Sequence, residues 1–283
     1  MKVAGAPISW GVCEVPGWGY QLDAGRVLRE MRAVGLVATE FGPDGFLPGY
    51  VDERETLLAG HGLAPVGGFV PVVLHDPDHD PLAEVDRALD LFGAARTLVL
   101  AAATGRAGYD ARPDLDALGW RVLLRNLDRL ATYAADRGVT ATLHPHVGTM
   151  VEGRDEVRRV LDGAGIPLCL DTGHLLVGGS DPAVLAGALP RRIAHVHLKD
   201  VAAGLAEQVR AGRVTYTDAV KAGMYRPLGQ GDVDVAGIVA ALTRAGYDGW
   251  YVMEQDTVLA VPPPEGAGPV ADVAASLKYL ESL

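Results

Sequence analysis

Eight short apolar or β-branched runs punctuate the chain, and between them apolar residues recur at helical spacing. The runs are Val3–Ile8, Val37–Phe41, Val66–Leu74, Thr97–Ala102, Thr140–His144, Pro167–Asp171, Ile193–Leu198 and Gly249–Glu254. Among the helical segments, Leu22 to Val34 keeps one apolar face and stops at Gly35. Trp120, Leu123, Leu124, Leu127, Leu130 and Ala134 recur before Gly138, and Val270, Val273, Ala274, Leu277 and Leu280 form a closing helix. Eight strand-then-helix units predict an α/β protein built as one closed, parallel (β/α)8 TIM barrel. The competing architecture, an open doubly wound sheet, calls for a Gly-rich phosphate turn after the first strand, and none is there. No Ser/Gly linker or low-complexity block interrupts the alternation, so residues 1–283 are expected to form a single domain. Its longest connection, 201–234, lies between the seventh and eighth strands, where a closing loop is expected.

Composition narrows the classes of partner. Lys and Arg number 25 against 36 Asp and Glu, a net charge of −11, which disfavours a nucleic-acid groove or an anionic membrane surface. No apolar run approaches the roughly 20 residues of a membrane span, and Met1-Lys-Val-Ala-Gly-Ala-Pro7 enters a strand pattern rather than a signal peptide. A cytoplasmic protein acting on a small neutral polyol or keto-sugar is the expectation, and a homo-oligomer is compatible with it. Cys13 and Cys169 are too few and too far apart for a disulfide framework or a zinc ribbon, and both read as free thiols.

Within the seventh run, Arg192-Ile-Ala-His-Val-His-Leu-Lys-Asp200 places His195 and His197 on the same strand face. A buried polar ring without a partner costs about 2–7 kcal/mol, so each needs one. In TIM barrels the chemistry sits at the C-terminal ends of the strands. Here those ends carry His144, Asp171, His197 and Glu254, two nitrogen and two carboxylate donors that can converge at the barrel mouth. Such a set suits a divalent ion, with Mn²⁺ favoured and Co²⁺, Mg²⁺ or Zn²⁺ as alternatives. His195, one layer deeper, is then a supporting partner.

The segments Ala6-Pro-Ile-Ser-Trp-Gly-Val-Cys-Glu14, Thr39-Glu-Phe-Gly-Pro-Asp-Gly-Phe-Leu-Pro48, His144-Pro-His-Val-Gly-Thr149, Leu170-Asp-Thr-Gly-His174 and His195-Val-His-Leu-Lys-Asp200 carry a resemblance. With Gly246-Tyr-Asp-Gly-Trp250 and Glu254-Gln-Asp256 they resemble the inosose dehydratase group of the xylose-isomerase-like barrels, across nearly the whole chain. The resemblance implies metal-dependent dehydration of 2-keto-myo-inositol in inositol catabolism, with Mn²⁺ or Co²⁺ as cofactor. The same superfamily holds epimerases and ketose isomerases, which form the alternative reading, and abasic-site endonucleases, which the acidic balance opposes. The isomerising members typically carry a glutamate at the end of the fifth strand, where this chain has His144.

For a dehydration, a base removes the proton beside the carbonyl and an acid protonates the departing hydroxyl. Glu254, or Lys199 if burial near the cation lowers its pKa, is the candidate base, with Asp256 held in reserve for the strand-eight carboxylate. His174 and His146 are the candidate acids, and His174 matches a working histidine of related dehydroshikimate dehydratases. Trp10 could wall a ring face, Glu40 and His75 could bind hydroxyls, and each could equally be packing or ion-pairing at the rim. Glu152 could bond a hydroxyl or cap the next helix, Arg226 could reach in from the long connection, and Gly229-Gln-Gly231 is a weak phosphate signal.

Overall fold

A computed structural model describes residues 1–283. The strands are β1 Lys2–Gly5, β2 Ala38–Thr39, β3 Ala64–Pro65, β4 Gly67–Val73, β5 Thr97–Ala103, β6 Thr140–Leu143, β7 Leu168–Asp171, β8 Ile193–Leu198, β9 Asp200–Val201, β10 Tyr225–Arg226 and β11 Trp250–Met253. All but β9 and β10 pair in parallel, in the order β3-β2-β1-β11-β8-β7-β6-β5-β4. The two ends of that order, β3 and β4, are consecutive in the chain and meet at Val66. Val66 donates its N–H to Thr39 O at 3.0 Å and accepts on its own carbonyl from Arg96 N–H and Thr97 N–H at 3.1 and 3.2 Å, so the ring closes through it. The third stave is therefore split in two, β3 lying just before the third sequence run and β4 within it, and the barrel has the eight expected staves. Gly67 is required there, because a Cβ would stand 2.0 Å from Thr97 O.

Helices cover the outside of the ring. Ala117–Asp136 starts where the Asp116 side chain accepts from Gly119 N–H at 2.8 Å, and it buries Trp120, Leu123, Leu127, Leu130 and Ala134 as the spacing required. Ala24–Ala33 is capped by Asp23 in the same way. The first run ends earlier than expected: after Gly5 the chain turns into a 3₁₀ segment, Pro7–Trp10, since Pro7 has no N–H for a ladder.

Small side chains fill part of the barrel interior. Ala4, Ala6, Ala38, Val66 and Val252 form a buried cluster of their own, apart from the large core between strands and helices. By strand alternation Ala38 shares a face with Glu40, and Val252 with Glu254. Small volumes beneath leave room above for a layer of buried polar groups.

The 201–234 connection is ordered rather than loose. It holds the helices Ala203–Arg210 and Tyr216–Lys221, and β10 returns to pair antiparallel with β9. Its hub is the Asp200 carboxylate, which accepts from Val201 N–H at 2.9 Å, Gly229 N–H at 2.8 Å, Gly231 N–H at 2.9 Å and Val233 N–H at 3.0 Å. The Gly229-Gln-Gly231 phosphate signal is thereby corrected, because its N–H groups are spent on an internal anion. A Cβ on Gly231 would lie 2.3 Å from Asp200 Oδ1.

Candidate active site

Three of the proposed ligands, Asp171, His197 and Glu254, each bring a donor atom within 4.8 Å of the others at the barrel mouth, and His144 adjoins them through Asp171. Asp171 ends β7 and uses its two oxygens differently. Oδ1 caps the helix Thr172–Val177 by accepting from His174 N–H at 2.7 Å, and Oδ2 lies 3.0 Å from His144 Nε2. His197 Nδ1 lies 3.6 Å from Asp171 Oδ2 and 3.1 Å from Glu254 Oε2, and all four residues are buried. The register of β7 on β8 aligns Asp171 with His197, and β11 brings Glu254 alongside.

Glu40, at the end of β2, explains the histidine pair. Its Oε1 faces His195 Nε2 at 2.7 Å and His197 Nε2 at 3.1 Å. A proton on His197 Nε2 directed at Glu40 leaves Nδ1 turned to Asp171 and Glu254, and this buried nitrogen has no hydrogen-bond partner. Nitrogen and carboxylate donors this close, with an unpartnered buried nitrogen among them, fit a divalent cation. Burial opposes a charge on His197, yet Cys169, Glu254 and Glu40 outweigh it and hold its pKa well above the ordinary value. His195, one layer deeper, meets the same Glu40 oxygen.

A cavity opens on this cluster. Its polar wall is His144, His146, His197, Lys199, Glu254 and Asp256, and its apolar wall is Pro7, Ile8, Val12, Trp18 and Phe69. Lys199 Nζ lies 2.7 Å from Asp256 Oδ1, 3.1 Å from Glu254 Oε2 and 3.4 Å from Asp171 Oδ2. Burial would discharge the amine, but those three carboxylates hold its pKa well above the usual lysine range. In the metal-free protein Lys199 is thus a buried cation, the opposite of the state that the base role requires.

His146 faces the cavity, and His174 stacks behind it with ring centroids 3.7 Å apart. His146 Nδ1 donates to Val147 O at 2.7 Å. His174 Nε2 faces the Lys199 ammonium at 2.9 Å and accepts from it, with Asp256 Oδ2 at 3.6 Å, while Nδ1 lies 3.3 Å from Val147 N and 3.5 Å from the Tyr225 hydroxyl. Burial drives both rings to the neutral form. Asp256 is pushed upward by burial against the pull of Lys199, and its Oδ2 accepts from Tyr216 O–H at 2.5 Å.

Other sequence candidates lie elsewhere. Trp10 is wholly buried and gives its Nε1–H to Glu30 Oε2 at 2.8 Å, so it is a core residue, and Trp18 takes the wall position instead. Glu40 lines the cavity but is committed to the two histidines. His75 lies outside the cavity lining. Glu152 accepts from Gly148 N–H at 2.7 Å and pairs with Arg112 Nε at 3.2 Å, bracing the loop after β6 rather than reaching the cavity. Arg226 is exposed on β10 and does not reach the cavity either. Tyr109, Tyr216 and Tyr225 are the residues that sequence reasoning missed. Tyr109 packs on His146 at 4.4 Å and hydrogen-bonds Glu14, and the Tyr216 and Tyr225 hydroxyls are 3.1 Å apart beside Asp256 and His174.

A sequence profile described as a xylose isomerase-like TIM barrel matches residues 16–283. The chain belongs to that family. Inosose dehydratase of Geobacillus thermodenitrificans is 30% identical over 277 residues, covering 93% of this chain and 92% of that one. The rhizopine catabolism protein MocC of Rhizobium meliloti is 33% identical over 269 residues, covering 90% and 82%. Among solved structures, an IOLI protein with a bound zinc atom superposes with a TM-score of 0.66 at 15% identity, covering 100% of this chain and 97% of that one, and it bears on the fold alone. As a xylose isomerase-like barrel with dehydratase relatives, the chain is placed among enzymes of the lyase type. No helix is long and apolar enough to cross a membrane.

Proposed function

We propose that this chain dehydrates a keto-cyclitol of the inosose class, with a divalent cation held by His144, Asp171, His197 and Glu254. The observation that carries the reading is the buried Nδ1 of His197, set 3.1 Å from Glu254 Oε2 and 3.6 Å from Asp171 Oδ2 at the floor of the cavity. The relatives supply the substrate class. Mn²⁺ is the ion we favour, since a mixed oxygen and nitrogen set suits it. When bound, the cation supplies Lewis-acid polarisation of the substrate carbonyl.

The chain's own residues do the rest. Glu254, held ionised because His197 and Lys199 outweigh the burial that would protonate it, removes the proton beside the carbonyl and leaves an enediolate. Lys199 Nζ, lining the cavity as an ammonium, delivers a proton to the departing hydroxyl, which leaves as water. His174 and Asp256 fix the ammonium from behind, and His146 bounds the ring on the cavity side. The apolar wall of Ile8, Val12, Trp18 and Phe69 packs the less polar face of the ring.

Manganese-loaded protein incubated with 2-keto-myo-inositol tests this by product mass. The expected product is lighter by one water. A product of unchanged mass would contradict the dehydration and identify an epimerase or isomerase.

A further inference from the structure

Beneath the cavity floor the barrel holds a thiol that the proposed reaction does not use. Cys169 stands two residues before Asp171 on β7, so strand alternation turns both side chains to the interior, and Cys169 is wholly buried. Its Sγ and one ring nitrogen from each of His144 and His197 lie within 4.8 Å of one another. The two imidazole centroids are 4.9 Å apart, and Nδ1 of both rings is buried without a hydrogen-bond partner. A buried cysteine among aliphatic side chains is ordinary packing, but one with two imidazole nitrogens in reach has the donor set of a thiophilic metal site.

We propose that His144, Cys169 and His197 form a second cation position, one layer below the first, that takes strongly thiophilic divalent ions such as Cd²⁺ and rejects Mn²⁺ and Mg²⁺. An ion bound by one sulfur and two nitrogens holds them about 3.5 Å apart, so only a small inward movement closes the site. Soft thiolate binds such ions well, and the hard, oxygen-preferring ions gain little from it. On binding, Cys169 loses its Sγ proton to solvent and the thiolate bonds the ion. The two histidines belong to both positions, so filling the lower one dismantles the upper, and thiophilic ions displace the activating ion rather than replace it. The cavity, which both histidines line, is the entry route. The inference shares these histidines with the proposed function but does not depend on the reaction catalysed.

The test uses the full chain, stripped with a chelator and titrated with Cd²⁺. With one equivalent of Cd²⁺, an ultraviolet sulfur-to-cadmium charge-transfer band is expected. Only two cysteines are present, so the assignment is clean. The band should vanish in Cys169→Ser and in Cys169→Ala and persist in Cys13→Ser. Cd²⁺ affinity should fall at least about 10–100-fold in both Cys169 variants, the loss that even an outer-sphere partner causes. Mn²⁺ affinity should be unchanged in them, which also shows that they fold. Absence of the band in the unsubstituted protein, or its loss only in Cys13→Ser, would overturn the proposal. A wrong substrate assignment would show in product mass and leave these spectra as they are.

Discussion

The Glu40 carboxylate lies 3.1 Å from His197 Nε2, and that contact decides which ring nitrogen faces Asp171 and Glu254. Glu40→Gln keeps the volume but removes the charge that holds the proton on Nε2. Divalent-cation affinity, measured by calorimetry, is expected to fall about 10–100-fold. An unchanged affinity would mean that Glu40 only fills space.

Binding the cation must displace the proton that His197 carries in the metal-free protein, where its pKa is raised. Affinity should therefore rise with pH, and titrations in buffers of different ionisation enthalpy should report proton release. A buffer-independent heat would contradict this account of His197.

Glu40, Asp171 and Glu254 make metal-free stability sensitive to acid. Burial would raise all three, but the facing cations win: His197 for Glu40, Lys199 for Asp171, and His197 with Lys199 for Glu254, so each pKa is lowered. Such a group contributes stability above its unfolded pKa, and the contribution is lost as pH falls toward the folded value. His197, with its raised pKa, contributes fully below its ordinary value and does not alter that acid window. Denaturant midpoints are expected to fall once pH drops below about 4, the ordinary carboxylate range. A midpoint that stays flat down to about pH 3 would oppose the claim.

Tyr216→Phe removes the hydroxyl that Asp256 accepts from, and Asp256 in turn holds Lys199. A hydrogen bond to a charged group contributes about 1.5–3 kcal/mol, so kcat should fall about tenfold or more, with KM little changed. A rise in KM alone would place Tyr216 in substrate binding.

Asp200→Ala would strip four backbone N–H groups of their acceptor. Val201 and Val233 lie buried, and each orphaned donor costs about 1–3 kcal/mol. Urea unfolding should show a loss of about 3 kcal/mol or more, whereas a loss below about 1 kcal/mol would mean that the connection is held by its helices.

The barrel and the cluster of polar groups at its mouth are legible in the sequence for one physical reason. His144, Asp171, His197 and Glu254 each stand at the end of an apolar run, and parallel strands align those ends. Tyr216 and Tyr225 give no such signal, because the long connection's fold brings them to Asp256 and His174. Trp10 misleads because its partner, Glu30, sits on a helix that periodicity predicts without saying what it faces. The role of Lys199 could not be judged without the three carboxylates that surround its nitrogen, which come from two strands and a loop.

The most direct measurement is anomalous diffraction from a crystal of the manganese-loaded protein. The account requires one strong peak within bonding distance of His144, Asp171, His197 Nδ1 and Glu254. A crystal with no peak among these atoms, or with a peak that Asp171→Asn leaves undiminished, would contradict it.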